Sequence, residues 1–127
     1  MTHDNSPYVK LRQHLDRLPV GFPPSRTGAD IRLLKHIFTP EQALIATCLS
    51  HAPRTLEDIY ARGGHLAKSP EALAEQLAAM VKNGGIEVRK ENNTTLYANA
   101  PLVVGMYELQ LGRLTPEFIK DFKAYTL

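Results

Sequence analysis

Cys48 and His51 are the two side chains of this sequence whose types and spacing come nearest to a reactive or metal-binding pair. A thiolate and an imidazole at C-x2-H spacing are zinc donors, but a closed zinc site takes about four such groups. No second pair stands at a matching spacing, and His36 and His65 lie elsewhere in the chain. A Cys–His nucleophile would also need a third group to orient the base. Cys48 falls on the apolar side of its segment, where cysteine serves as a small hydrophobe. Gly63-Gly64 and Gly84-Gly85 fit neither G-x-x-x-x-G-K-[ST] nor G-x-G-x-x-G, and read as helix stops. Glu57 and Asp58 are adjacent, so on a helix they diverge; they read as a solvated face and form no acid–base dyad. These residues predict a non-enzymatic chain with no metal and no cofactor of its own.

The remaining polar chemistry is that of binding. Arg62, His65, Lys68, Lys82, Arg89 and Lys90 could neutralise phosphates, and Gln76 could read an adenine edge. Overall charge gives this little help. Lys and Arg number 15 against 13 Asp and Glu, and the surplus lies in the first 50 residues. Apolar residues offer a second surface. Val103, Met106, Tyr107, Leu111 and Leu114, in a stretch that also holds Val104 and Leu109, are too many for one buried helix face. They predict either a partner or homodimer surface, or a surface that the N-terminal arm, with Val20, Phe22 and Ile31, folds back to cover.

The elements that must position these groups are well punctuated. Thr39-Pro40-Glu41, Ser69-Pro70-Glu71 and Thr115-Pro116-Glu117 each place a capping hydroxyl before proline at the first helical position. The first core helix then runs from Pro40 to about Ser50, with Leu44, Ile45, Cys48 and Leu49 at helical spacing. A second begins at Thr55 and turns Leu56, Ile59 and Tyr60 inward. The third follows Ser69, carries Leu73, Leu77, Met80 and Val81 on one stripe, and stops at Asn83-Gly84-Gly85. Its outward positions are Ser69, Glu71, Ala72, Glu75, Gln76, Ala79 and Lys82. The period then falls to two: Ile86, Val88, Leu96 and Ala98 alternate with Glu87, Arg89 and Tyr97 around a turn at 91–94.

Three helices and a hairpin outline a winged helix-turn-helix, mainly α with a small β-hairpin. Residues 1–38 form an N-terminal helix, around Tyr8, Leu11, Leu15 and Leu18, and a Pro/Gly-rich arm. Residues 39–100 form the winged-helix core, with the wing at about 86–98, and 101–127 form a C-terminal helical extension of segments near 102–113 and 116–125. The lone cysteine fits a reducing compartment. The N-terminus lacks a signal-peptide pattern, and the 102–114 stretch is too short and polar to span a bilayer. The sequence thus predicts a cytoplasmic protein that does not enter the membrane.

Two stretches carry a resemblance. Leu18-Pro-Val-Gly-Phe-Pro-Pro-Ser-Arg-Thr-Gly-Ala-Asp-Ile-Arg-Leu-Leu-Lys-His-Ile-Phe-Thr-Pro-Glu41 is one; Asn99-Ala-Pro-Leu-Val-Val-Gly-Met-Tyr-Glu-Leu-Gln110, continuing to Leu114-Thr-Pro-Glu-Phe118, is the other. Both resemble the N-terminal, winged-helix-like region of bacterial and archaeal 4Fe–4S ferredoxin-type proteins. The resemblance implies a docking or regulatory module that serves a downstream ferredoxin domain. It also implies that the cluster belongs to a C-terminal region absent from this chain, since a cluster takes about four thiolates and Cys48 is the only one here. The alternative expectation is a DNA-binding transcriptional regulator, dimeric through residues 102–125.

Overall fold

The computed structural model describes residues 5–19, 21–63, 66–100, 110, 112 and 114–126. Among them the chain is mainly helical, with one small antiparallel sheet. The elements are α1 (Ser6–Asp16), α2 (Ala29–Ile37), α3 (Pro40–Ala46), β1 (Arg54–Thr55), α4 (Leu56–Gly63), α5 (Pro70–Lys82), β2 (Ile86–Glu91), β3 (Thr94–Asn99) and α6 (Pro116–Thr126).

All three Ser/Thr-Pro-Glu signals start helices. Thr39 Oγ1 accepts the Gln42 amide at 3.2 Å, Ser69 Oγ that of Ala72 at 3.1 Å, and Thr115 Oγ1 that of Phe118 at 3.1 Å. Gln42 returns Oε1 to the Thr39 amide at 3.1 Å and completes a capping box. Thr55 Oγ1 caps α4 in the same way, accepting the Asp58 amide at 3.2 Å. Helix α3 ends at Ala46, short of the expected Ser50, because Thr47, Cys48 and Leu49 turn their amides back by three residues and tighten the chain.

The end of α5 is a Schellman stop. Gly84 sits at φ 75°, its amide bonds Val81 O at 3.0 Å, and the Gly85 amide bonds Met80 O at 2.9 Å. That turn launches β2. The hairpin closes through Asn92 and Asn93 at φ 50° and 66°, the positive torsions of a type I′ turn. Strand order is β1-β3-β2. β1, which lies where no strand was expected, pairs Arg54 with Tyr97 and Thr55 with Leu96; two residues are too few to show a period.

The register corrects one expectation. Val88 lies opposite Tyr97, and Arg89 opposite Leu96, so Val88 and Leu96 face opposite sides of the sheet. Val88 is 46% exposed, while Leu96 is half-buried.

One apolar cluster joins the elements: Leu11 and Leu15 of α1, Leu34 and Ile37 of α2, Ile45 of α3, Ile59 of α4, Leu73, Leu77 and Met80 of α5, Ile86 of β2 and Phe118 of α6. α1 packs on α2 and α3, and α2 on α6. The segment expected as a Pro/Gly-rich arm is an arm only as far as Gly28. Its second half is helix α2, whose Leu33, Leu34 and Ile37 fall at helical spacing and are buried. The arm itself is tied in at Phe22, which is buried. Its amide bonds Asp16 Oδ1 at 2.8 Å, and its carbonyl accepts from Arg12 at 2.8 Å.

Candidate interface on helix α5 and the hairpin

Helix α5 turns Leu73, Leu77 and Met80 inward, which leaves Pro70, Glu71, Glu75, Ala78 and Lys82 exposed. Ser69, Ala72, Gln76 and Ala79, expected to face outward, are half-buried. Gln76 is the consequential case. Its Oε1 accepts from Gln42 Nε2 at 3.2 Å, and Gln42 is the buried capping-box residue of α3. The carboxamide expected to read a base edge is instead a strut between two helices, placed there because packing α5 on α3 turns position 76 towards a buried amide that needs a partner.

The basic residues are exposed but scattered. Lys68 and Lys82 stand at the two ends of α5, and Arg89 and Lys90 on β2. Arg89 comes within 3.6 Å of Glu91. Arg62 lies 3.9 Å from Asp58 Oδ1, while Arg54 Nη1 donates to Asp58 Oδ2 at 2.8 Å. Asp58 is therefore a shared counter-ion for two arginines rather than a plain solvated carboxylate. His65 lies outside the described residues. A depression of about 100 Å³ beside the hairpin brings Arg89 and Glu87 next to His51, Val88 and Leu96. That grouping crosses from the loop after α3 to β2 and β3, and no local spacing announces it.

The apolar candidates divide. Val103, Met106, Tyr107 and Leu111 lie outside the described residues, as does the helical segment expected near 102–113 apart from Gln110 and Gly112. Leu114 is half-buried and packs against the core. Gln110 is buried and donates to Asn83 O at 2.7 Å, joining this region to the end of α5.

Cys48 packs beside Gly63, where an added Cβ would overlap its Sγ. Burial pushes its thiol pKa up, only partly offset by the Thr47 hydrogen bond and the Arg62 charge. Among the described residues no three His, Cys, Asp or Glu side chains gather as a metal set. The donor set does not fit an iron–sulfur cluster either, because Cys48 is the only cysteine of the chain.

Two polar clusters fasten the frame. Asp121 of α6 accepts from Arg32 Nε at 2.8 Å and from His36 Nε2 at 2.9 Å, both on α2. Burial raises the Asp121 pKa, but the two hydrogen bonds and the neighbouring positive charges outweigh it and hold the carboxyl below its ordinary value. Asn99, buried at the end of β3, contacts His14 Nε2 at 2.9 Å and donates to Ala46 O at 3.0 Å. It joins the sheet to α1 and α3.

Compared with protein-family models, curated proteins and solved structures, the chain gives no match. No helix among the described residues is long and apolar enough to cross a membrane.

Proposed function

We propose that this chain is a winged-helix docking or regulatory module that works by binding another protein. The order α3, β1, α4, α5, β2, β3 supports the winged-helix reading, with β1 closing the small sheet at the start of α4. The observation that carries docking over DNA recognition is the surface of α5. Its exposed side chains are Pro70, Glu71, Glu75, Ala78 and Lys82, two carboxylates to one ammonium. A helix entering a major groove must neutralise phosphates, and carboxylates oppose that. The engagement of the Gln76 carboxamide with Gln42 removes the group best suited to a base edge.

The partner of this reading is an iron–sulfur domain of the 4Fe–4S ferredoxin type, on the strength of the two resembling stretches at 18–41 and 99–118. The cluster itself would belong to that partner. The second reading, a DNA-binding regulator, draws on exposed Lys68, Arg89 and Lys90. Titration of labelled duplexes at low salt separates the two. Docking predicts no saturable binding at micromolar protein. Binding that falls steeply with salt and is lost in Arg89→Ala or Lys90→Ala would overturn it. A cysteine-rich run encoded beyond Leu127 is expected from the iron–sulfur link, and finding none would remove that link.

A further inference from the structure

The edge of β2 that faces away from β3 is the most distinctive surface left over. β2 pairs with β3 on one side, and among the described residues no strand lies on its other side. From Glu87 to Glu91 every residue is exposed. Val88 is one of two large hydrophobics more than a third exposed among the described residues, the other being Val9 on α1. An edge strand offers a row of unpaired backbone groups and is normally defended by charge. Here the charges do something more specific.

The type I′ turn closes on the Glu91–Thr94 pair, which is therefore the hydrogen-bonded kind. Alternation along the ladder then aims the amides and carbonyls of Glu91, Arg89 and Glu87 at β3, and those of Lys90 and Val88 at the open edge. Any strand added antiparallel to this edge must match that alternation. A second copy of β2 therefore has few symmetric registers, each centred on one residue. Centred on Glu87, Glu faces Glu. Centred on Arg89, Arg faces Arg and Glu87 faces Glu91. Centred on Lys90, Arg89 faces Glu91 of the second copy on both sides, but two ammonium groups meet at the axis. Centred on Val88, valine faces valine, and Glu87 faces Arg89 of the second copy on both sides of the axis. Those two ion pairs fall at the non-hydrogen-bonded positions, where opposing side chains come closest.

The geometry points to a homodimer formed by antiparallel pairing of two β2 edges about Val88, extending the sheet from three strands to six across a two-fold axis. Like charges at the axis disfavour the registers centred on Glu87, Arg89 and Lys90, whereas the Val88 register combines two Glu87–Arg89 pairs with an apolar Val88 to Val88 centre. Buried Ile86 limits the ladder at one end. So short a pairing gives a reversible dimer rather than an obligate one.

Sedimentation equilibrium up to millimolar protein, joined to cysteine trapping, tests this. In the Val88→Cys variant the two introduced residues form a hydrogen-bonded pair with Cα atoms about 5.5 Å apart, inside the range for a disulfide. Air oxidation should link the two introduced thiols across the axis, and mass spectrometry of the linked peptides should separate that bridge from any bridge through Cys48. Glu91→Cys should give none, because its copies stand about 20 Å apart in this register. Glu87→Arg and Arg89→Glu should each weaken association about tenfold by turning two attractive pairs repulsive, and the double variant should restore it. All four positions are exposed, and unchanged circular dichroism verifies the fold. A strictly monomeric protein at millimolar concentration, equal trapping at positions 88 and 91, or charge swaps without effect would overturn the proposal.

Discussion

Adding one methyl group at Gly85 measures how tightly α5 and β2 are seated on α2. A Cβ built there would lie 2.6 Å from Phe38 Cε1, 2.7 Å from Phe38 Cζ and 2.9 Å from Ile37 Cγ2. Carbon atoms pack at about 3.5–4.0 Å, so all three contacts are too short by more than half an ångström. Phe38 is 3% exposed and Ile37 4%, so neither can swing into solvent. The Phe38 ring must shift, or the Schellman turn must move and strain the Gly85 amide bond to Met80 O. Overpacking of this kind costs about 1–3 kcal/mol. The positive torsion belongs to Gly84, so the loss at Gly85 is steric rather than torsional. At about 4 °C per kcal/mol for a chain of this length, Gly85→Ala should lower the thermal midpoint by about 4–12 °C. Circular-dichroism melting of the variant, with urea titration for its free energy, reads this directly. Phe38→Leu placed in the same chain should recover part of the loss, giving a coupling of about 0.5–3 kcal/mol in the double-mutant cycle. A Gly85→Ala variant that melts with the parent, or a cycle with no coupling, would refute the packing of Phe38 over the start of β2.

The other expectations concern α6 and the thiol. Asp121→Asn should cost about 1 kcal/mol, discounted because Arg32 is half-exposed, and should loosen α6 in amide exchange before the rest of the chain. The Asp121 pKa lies below its ordinary 3.8, so its stabilisation is complete above that value and is lost as pH falls through the lower folded-state pKa. Melting curves of the parent should therefore decline in that acid range more steeply than those of the variant. Tyr125 donates to Pro23 O at 2.7 Å. Burial, then Asp30 and Asp16, push its phenol up to about 12, so its contribution holds below the ordinary 10.0 and is lost as pH rises through about 12. Tyr125→Phe should cost about 1 kcal/mol in denaturant titration at neutral pH and remove that alkaline loss. Cys48 should react with a thiol reagent more slowly than a free thiol, with the rate rising as the chain unfolds; a fast reaction in the folded state would contradict its packing against Gly63.

Local rules made much of the frame legible. A hydroxyl before Pro-Glu satisfies free amides within its own turn, so Thr39, Ser69 and Thr115 announce their helices without help from the rest of the chain. The Gly84-Gly85 stop and the Asn92-Asn93 turn are legible for the same reason, because their torsions are set by the residues themselves. Helix α5's buried stripe followed from period alone. Position in space did not. Whether Gln76 faces solvent depends on where α3 lies, and buried Gln42 turned it into a strut. The face on which Val88 sits depends on strand register, which is fixed by the turn and the partner strand rather than by alternation in either strand. β1 exists only because Tyr97 and Leu96 come beside it. Asp121 meets Arg32 and His36 from the far end of the chain, a cluster no spacing could signal. Sequence by itself, through short-range hydrogen bonding and torsion, marked the starts of α3, α4, α5 and α6 and the turn of the hairpin. It marked neither α2, which lies in the segment expected as an arm, nor the early stop of α3. Tertiary structure decided which polar groups remain available for a partner, because burial and pairing are properties of neighbours distant in the chain.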